Sequence, residues 1–246
     1  MSFAQEGGAE LGAALVFGAT GAIGQEICRR LIADGFVVYG VSRSEAGVPD
    51  LPPEEFHHIC WNLDAPAQSL AQKKLPKLGA VIWAQGANFN DSIYDFDARR
   101  HIELYEANVI YILDSLRQLL DARLVSSGAR LCVISSIWQD IARQKKLSYC
   151  VTKSALAGLV RSLAIDLGHK KICVNAVLPG PLDTPMTRAN LSKDQIEKLE
   201  DSMPLQSLPA LDDVSALVEF LCSDRNSGIT GQFIAADRGY SDARFV

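Results

Sequence analysis

A tyrosine and a lysine four residues apart form the pair whose types and spacing could perform acid–base chemistry. Tyr149 and Lys153 fall in a segment of helical period, so their side chains share one helix face. A tyrosine hydroxyl has a pKa of about 10, and a neighbouring ammonium favours the phenolate and lowers that pKa. The same spacing also arises by coincidence on helix surfaces. Ser136 follows an apolar run thirteen residues upstream of Tyr149, and Asn108 lies inside a long helical segment where an amide is an unusual core residue.

A glycine-rich turn near the N-terminus predicts a binding site for the pyrophosphate of a dinucleotide. Gly18, Gly21 and Gly24 lie between an apolar strand candidate and a helical segment. Backbone N–H groups can approach a phosphate closely in such a turn, and the helix N-terminus adds partial positive charge. Glycines also serve turns that bind nothing, but this position in a strand–helix–strand unit favours dinucleotide binding.

The residues at the end of the second strand candidate distinguish between two cofactors. The sequence there is Ser42-Arg43-Ser44, and an arginine beside two hydroxyls suits the 2′-phosphate of NADP(H). Two other interpretations stay open: Arg43 is a solvated surface side chain, or Glu45 folds back onto the ribose of NAD(H). We predict NADP(H), with NAD(H) as the alternative.

The hydrophobic pattern predicts the scaffold that must position these residues. Short apolar runs predict strands at residues 13–17, 37–41, 57–61, 80–84, 130–134, 172–177 and 232–235, and helical period predicts helices near 23–32, 97–125 and 149–167. Apolar strands separated by helices indicate a parallel sheet that is covered on both faces. Right-handed crossovers then give a doubly wound, Rossmann-type α/β fold with seven strands.

The chain shows no internal repeat and no linker, so residues 1–246 are expected to form one domain. Residues 182–209 are polar, contain three prolines and carry no strand signal. A long segment of this kind, late in an α/β chain, is a candidate lid over a substrate.

Composition and charge exclude several classes of function. The 246 residues are 48% hydrophobic with a formal net charge of −5, which is typical of a globular protein. Negative charge without a block of Lys or Arg disfavours binding to nucleic acid or to an anionic membrane. No apolar stretch approaches the ~20 residues of a membrane span, and the N-terminus lacks a signal-peptide pattern. The six cysteines and four histidines show no ligand spacing, so we expect a cytoplasmic protein with free thiols and no metal.

Taken together, these motifs resemble the short-chain dehydrogenase/reductase family in its single-domain form. The resemblance rests on Tyr149-Cys-Val-Thr-Lys153 with Ser136 upstream, on Asn108, and on the glycine loop. It continues through Val-Asn-Ala-Val-Leu-Pro-Gly-Pro-Leu-Asp-Thr at 174–184 and through residues 220–232. The motifs cover nearly the whole chain in the family's order.

The resemblance implies a reaction and a role for each residue. Tyr149 would exchange a proton with the carbonyl or alcohol oxygen, and Ser136 would hydrogen-bond the same oxygen. Lys153 would lower the pKa of Tyr149 and bind the nicotinamide ribose, while Asn108 would anchor a water relay to Lys153. Thr184 would bind the carboxamide of the nicotinamide. The implied cofactor contacts are Gly18, Thr20, Gly21, Ala22, Ile23, Gly24, Ser42, Arg43, Asn62, Leu63, Gly86, Asn108, Tyr149, Lys153, Pro179, Gly180, Leu182 and Thr184.

Two departures from the family pattern concern the cofactor side. Ala22 stands where the family usually has glycine, and Gly21 shifts the motif toward that of the family's larger, extended members. Residues 83–86 read Trp-Ala-Gln-Gly instead of Asn-Asn-Ala-Gly, so the two amides that stiffen the sheet centre are missing.

The implied activity is NAD(P)-dependent interconversion of a ketone and a secondary alcohol. The substrate would be a small molecule or a carrier-bound carbonyl compound, as in 3-oxoacyl-carrier-protein reduction. One alternative is an extended-type nucleotide-sugar epimerase or dehydratase, which usually has a larger C-terminal domain. Another is a non-catalytic NADP(H)-binding sensor, which would be expected to lose Tyr149 or Lys153. The basic run Arg143, Lys145 and Lys146 could receive an acidic substrate or a carrier protein, but short basic runs are more typical of solvated turns.

The long helical segments also predict assembly. They carry apolar residues over more of their circumference than packing on a sheet needs, and examples are Ile110, Tyr111, Leu156 and Leu163. A leftover apolar face usually meets another subunit. The family commonly forms dimers or tetramers, so we expect a homo-oligomer, a tetramer or a dimer.

Overall fold

Seven strands form the centre of the protein. A computed structural model describes residues 12–44, 46, 50–61 and 74–243. Within these ranges all strands pair in parallel, in the order β3-β2-β1-β4-β5-β6-β7. They are β1 (Ala13–Phe17), β2 (Val38–Ser42), β3 (Phe56–Cys60), β4 (Leu78–Trp83), β5 (Val125–Ile134), β6 (Cys173–Pro179) and β7 (Phe233–Ala236). The predicted seven-stranded, doubly wound parallel sheet is confirmed.

Helices cover both faces of this sheet. On one face pack α1 (Ala22–Ala33) and α7 (Leu211–Cys222), and on the other α3 (Tyr111–Asp121) and α4 (Leu147–Gly168). The other helices are α2 (Ala98–Tyr105), a π-helical turn (Glu106–Ile110), a one-turn 3₁₀ helix (Ile137–Gln139), α5 (Pro185–Asn190) and α6 (Lys193–Asp201). Because both faces are covered, all seven residues of β6 are buried. This double burial explains why the strands are continuous apolar runs in the sequence.

The strand order reverses between β1 and β4. From β1 the chain adds β2 and β3 on one side and then returns to place β4 on the other side. At such a reversal the loops that leave the carboxyl ends of the two strands diverge and open a crevice. The glycine loop after β1 and residues 84–87 after β4 border this crevice.

The predicted helix over residues 97–125 is wrong at its C-terminal end. The chain forms α2, a π turn and α3, and Val125 already begins β5. Arg123 adopts the left-handed conformation with φ of 55°, and Leu124 N donates to Leu119 O at 2.9 Å. This is the hydrogen-bond pattern of a helix end that usually carries glycine. Because an arginine occupies this position, the sequence does not signal that the helix ends there.

The apolar residues predicted to be left over for assembly are partly the wrong ones. Leu156 is fully buried in the core, and the ring of Tyr111 packs edge-on against Phe17 at 5.7 Å. The large apolar side chains that these helices expose are instead Ile102, Leu113, Val151 and Ile165.

Three further features of the described residues concern membrane-spanning helices, cysteine thiols and groups of metal-binding side chains. None of the helices in the described ranges is long and apolar enough to cross a membrane. All six cysteines are free thiols. Within the same ranges, no three His, Cys, Asp or Glu side chains are grouped so that they could hold a metal ion.

Candidate active site

The structure brings Ser136, Tyr149 and Lys153 together at the carboxyl end of β5. Ser136 follows β5 and begins the one-turn 3₁₀ helix, where its Oγ accepts from Trp138 N at 3.3 Å. Tyr149 lies in the first turn of α4, and the Ser136 hydroxyl is close enough to act on its pKa. Lys153 follows one turn later, and its Nζ donates to Ile134 O at 3.0 Å. Nζ lies 5.7 Å from the centroid of the Tyr149 ring.

A buried aspartate fixes the N-terminus of the helix that carries Tyr149. Helix α4 has no side-chain cap of its own at Lys146. The carboxylate of Asp91 takes that role and accepts from Ser148 N at 3.0 Å and from the Ser148 hydroxyl. His101 Nδ1 lies 2.8 Å from Ser148 Oγ and completes the cluster. Asp91 therefore positions the residue next to Tyr149, although 57 residues separate it from Ser148.

Burial controls the protonation of both Tyr149 and Lys153. It lowers the pKa of Lys153 from 10.5 to about 8, because the charged ammonium loses its hydration. It raises the pKa of Tyr149, while the hydrogen bond from Ser136 acts in the opposite direction and is the weaker influence. The ammonium of Lys153 donates to Ile134 O and lies over the Tyr149 ring, 5.7 Å from its centroid, and its predicted lowering of the Tyr149 pKa stays a prediction.

Asn108 clamps three elements together. It lies in the π turn, is almost fully buried, and its Oδ1 accepts from Ala87 N at 2.8 Å. Its Nδ2 donates to Ala87 O and to Thr152 Oγ1, both at 3.1 Å. The side chain thus ties the loop after β4 to α4, one residue before Lys153. Since both amide hydrogens are occupied, a water relay to Lys153 would have to start from the second lone pair of Oδ1 or from the backbone of this residue.

A first cavity of about 300 Å³ lies at the crevice between β1 and β4. Six of the predicted cofactor residues line it, namely Gly18, Thr20, Gly21, Ser42, Arg43 and Gly86. Its wall is completed by Val41, Ala84, Gln85, Ala87, Ala107 and Tyr111. Arg43 is exposed at this cavity, and none of the ion pairs of the described residues includes it.

The walls of this cavity fit a dinucleotide. Helix α1 begins after Gly21 with no side-chain cap and no acidic residue in its first turn, so its N-terminal N–H groups are open to an anion. A Cβ on Gly24 would lie 2.1 Å from Gly18 O, so the close packing of the loop on the helix requires glycine at this position. Both polar atoms of the Gln85 amide are buried without a hydrogen-bond partner. A buried amide of this kind needs a partner that the protein does not supply.

A second, larger cavity of about 1210 Å³ lies near the N-terminus of α4. It separates α5 and α6 from the segment that follows Ser136, and Trp138, Ile141, Leu199 and Tyr240 form its apolar wall. Lys146 Nζ, which also borders it, lies 5.7 Å from the Tyr149 ring centroid. Tyr149 lines neither of the two cavities and is linked to them through its neighbours, because Lys146 borders the second cavity and Lys153 Nζ lies near Gly86 of the first.

Comparison with known proteins identifies the family. A family model described as enoyl-(acyl carrier protein) reductase matches residues 18–241. The L-xylulose reductase of Bos taurus is 30% identical over 235 residues, which cover 92% of this chain and 95% of that protein. The chain belongs to the short-chain dehydrogenase/reductase family.

Two further similarities concern a related sequence and the fold. The 3-oxoacyl-[acyl-carrier-protein] reductase FabG of Salmonella typhimurium is 27% identical over 234 residues, or 92% of this chain and 96% of that protein. A gluconate 5-dehydrogenase from Burkholderia cenocepacia, solved with NADP and tartrate, has the same fold with a TM-score of 0.84 and 20% identity. That match covers 94% of this chain and 96% of the other. The resemblance inferred from the motifs is confirmed.

This short-chain dehydrogenase/reductase replaces the stiffening amides of its family by an aromatic link. Trp83 Nε1 donates to Ser115 Oγ at 2.9 Å, and its ring stacks on Phe17 at 5.8 Å. The sheet centre is therefore tied to α3 by an indole. Sequence reasoning missed Gln85 as a site residue, although a polar side chain just after a buried central strand was the available signal.

Several predicted cofactor residues lie elsewhere. Ala22, Ile23 and Gly24 form the first turn of α1, while Asn62 and Leu63 fall outside the described residues. The four predicted residues from the end of β6 onward line neither cavity; they are Pro179, Gly180, Leu182 and Thr184.

Contacts within the protein explain why three of these four residues, Gly180, Leu182 and Thr184, line neither cavity. Gly180 faces Asp237, whose Cβ would be 2.8 Å from an added methyl, and Leu182 packs on the apolar layer of α1 and α7. Thr184 Oγ1 caps α5 by accepting from Thr187 N at 3.2 Å. A carboxamide contact from Thr184 would need a second hydrogen bond from a hydroxyl that already caps a helix.

Proposed function

We propose that this protein is an NADP(H)-dependent oxidoreductase that interconverts a ketone and a secondary alcohol. The observation that carries the proposal is that Ser136, Tyr149 and the buried ammonium of Lys153 meet at the carboxyl end of β5, with one cavity on the side of Gly86 and the other on the side of Lys146. One cavity fits a dinucleotide, and the other has room for a carbonyl compound.

Tyr149 is the proposed proton donor in reduction. Its pKa is raised by burial, so at neutral pH the hydroxyl carries the proton that a carbonyl oxygen must receive. Ser136 Oγ donates a hydrogen bond to the same oxygen and stabilises its growing negative charge. Lys153, held by Ile134 O, favours the phenolate that remains. The nicotinamide cofactor, when bound, supplies the hydride.

The preference for NADP(H) rests on Arg43. Its guanidinium lies at the first cavity together with Ser42 and Thr20, and a guanidinium binds a phosphate through charge-assisted hydrogen bonds. The Ser42 hydroxyl already contacts His58 Nε2 at 2.8 Å, which leaves Arg43 as the main group for the 2′-phosphate. The gluconate 5-dehydrogenase that shares this fold was solved with NADP, which supports the same choice.

Four further parts of the proposal concern organisation. Residues 1–246 act as one domain, and residues 182–209, which include α5 and α6, act as a lid over the second cavity. Ile102, Leu113, Val151 and Ile165 expose apolar surface on α2, α3 and α4, which favours a homo-oligomer, a tetramer or a dimer. The free thiols favour a reducing, cytoplasmic location.

The proposal is tested by turnover. The purified protein is mixed with NADPH and a panel of ketones, and with NADP⁺ and the matching secondary alcohols, while absorbance of the reduced cofactor is followed. We expect cofactor-dependent turnover with at least one carbonyl class. Binding of NADPH without turnover of any ketone or alcohol would instead support the sensor alternative. The glycine spacing around Gly21 is the feature that favours an epimerase or dehydratase.

A further inference from the structure

The second cavity is lined by cations and by no carboxylate. Among the described residues that form its wall, the charged side chains are Arg143, Lys146 and Lys198. The polar remainder consists of neutral amides and hydroxyls, including Asn88 and Gln195. This concentration of positive charge is unusual in a chain whose formal net charge is −5.

These three cations have no acidic partner in the described part of the chain, whose ion pairs use other residues. Neighbouring cations of the same segment are paired: Arg188 contacts Asp183 at 2.6 Å, and Lys193 contacts Glu197 at 3.7 Å. Charged residues that face a cavity without a counter-ion suit an anion that binds there.

Lys146 is the cation best placed to hold such an anion near the reacting atoms. Its Nζ donates to Asn88 Oδ1 at 2.8 Å, which orients it, and lies 5.7 Å from the Tyr149 ring centroid. Burial and the nearby charge of Arg143 lower the pKa of Lys146, and Asp91 acts in the opposite direction. The carboxylate of Asp91 is already engaged by Ser148.

The other two cations approach the cavity from different sides. Arg143 lies 6.0 Å over the Trp138 ring, in the loop before α4, whereas Lys198 lies on α6. If α6 closes over the cavity, Lys198 moves with it, so an anion in the cavity can be held from the loop and from the lid.

We propose that the substrate is an anion, a small ketone or secondary alcohol that carries a carboxylate or phosphate group, and that Lys146 binds this group with the help of Arg143 and Lys198. This inference rests on the proposed function. It also replaces the interpretation of the basic run as a solvated turn: Arg143 and Lys146 line the cavity, and only Lys145 lies outside its wall.

The test compares charged and neutral substrates that are otherwise alike. Short-chain 3-, 4- and 5-oxo acids are paired with their methyl esters, and dihydroxyacetone phosphate with dihydroxyacetone. We expect kcat/KM to be about tenfold or more higher for the charged member of at least one pair, since a charge-assisted contact gives a preference of that size. The pair that shows this preference tells whether the cavity binds a carboxylate or a phosphate.

Three variants locate the effect. Lys146→Met and Lys198→Met each remove a charge from the cavity and are expected to lower the acid-to-ester ratio of kcat/KM, with the larger, about tenfold loss in Lys146→Met. Lys145→Gln is the matched control, because it removes a charge one residue away, outside the cavity wall. Its ratio is expected to equal that of the parent. An undiminished ratio in both methionine variants would overturn the assignment of the site.

Calorimetric titration of the same pairs into the enzyme–NADP⁺ complex separates this inference from the proposed function. Tighter binding of the acids without turnover of any compound would uphold the anion site and refute the oxidoreductase proposal. Turnover of acids and esters with equal kcat/KM and equal affinity would uphold the oxidoreductase and refute the anion site.

Discussion

Replacing Lys153 with methionine is expected to stabilise the folded protein while it removes activity. The ammonium is buried, and this lowers its pKa from 10.5 to about 8. Because the unfolded chain holds the proton more tightly than the folded one, protonation of Lys153 disfavours folding. The penalty is fully present below pH 8 and fades as the pH rises from about 8 toward 10.5.

The magnitude follows from that lowering. Each pKa difference of one corresponds to about 1.4 kcal/mol, so a change from 10.5 to about 8 amounts to about 3 kcal/mol at neutral pH. Methionine preserves most of the packing but leaves Ile134 O without the donor that now lies at 3.0 Å, a loss of about 1–2 kcal/mol. The expected net gain in the free energy of unfolding at pH 7 is therefore about 1–2 kcal/mol. At pH 9.5 the penalty is smaller by about 2 kcal/mol, and the gain disappears.

Urea unfolding of the parent and of Lys153→Met at pH 7 and pH 9.5, without cofactor, measures both effects. Lys170→Met removes an exposed lysine and serves as the control, with a change within about 0.5 kcal/mol at either pH. If Lys153→Met were less stable than the parent at pH 7, or if the difference between the two proteins did not change with pH, burial would not be what lowers the pKa of Lys153.

Three further predictions concern the cofactor and the lid. Arg43→Ala should raise the Kd of NADPH about tenfold or more while that of NADH stays the same, and equal changes for both cofactors would remove Arg43 from the 2′-phosphate. Gln85→Leu should leave the cofactor-free protein as stable as the parent or more so, because it removes an unpaired buried amide, yet weaken NADPH binding several-fold as measured by fluorescence titration. Unchanged affinity would mean that water satisfies the amide. Hydrogen exchange in residues 182–209 should slow when NADP(H) and substrate are bound, and equal exchange in both states would argue against a lid.

The strands were predictable because burial on both faces leaves a direct trace in the sequence. The run of β1 is apolar throughout and that of β6 is apolar except for Asn175, and crossovers of one hand place helices on both faces of the sheet. The end of α3 was not predictable, since Arg123 adopts a conformation that usually marks itself by glycine. The π turn around Asn108 was also not predictable, because a single inserted residue changes the hydrophobic periodicity of a long helical segment very little.

In the site, residues close in sequence were predicted and contacts between distant segments were not. Tyr149 and Lys153 belong to one helix and Ser136 follows the strand before it, and the resemblance of these motifs to the family predicted that they meet. Asp91 reaches the N-terminus of α4 from the loop after β4, which no local pattern encodes. Gln85 lies in the first cavity because strand order places it beside the glycine loop. Its burial is a property of the fold rather than of its neighbours in the chain.

The rate of Tyr149→Phe with a confirmed substrate tests the central claim most directly. This change keeps the ring and its packing but removes the proposed proton donor, while Tyr94→Phe alters an exposed tyrosine and serves as the control. General acid–base catalysis by a positioned group contributes about 10²–10⁴-fold. We therefore predict that kcat falls by about that factor in Tyr149→Phe, with NADPH affinity nearly unchanged. Turnover at the parent rate would contradict the mechanism, and a loss of NADPH binding as severe as the loss of activity would place Tyr149 in the cofactor site instead.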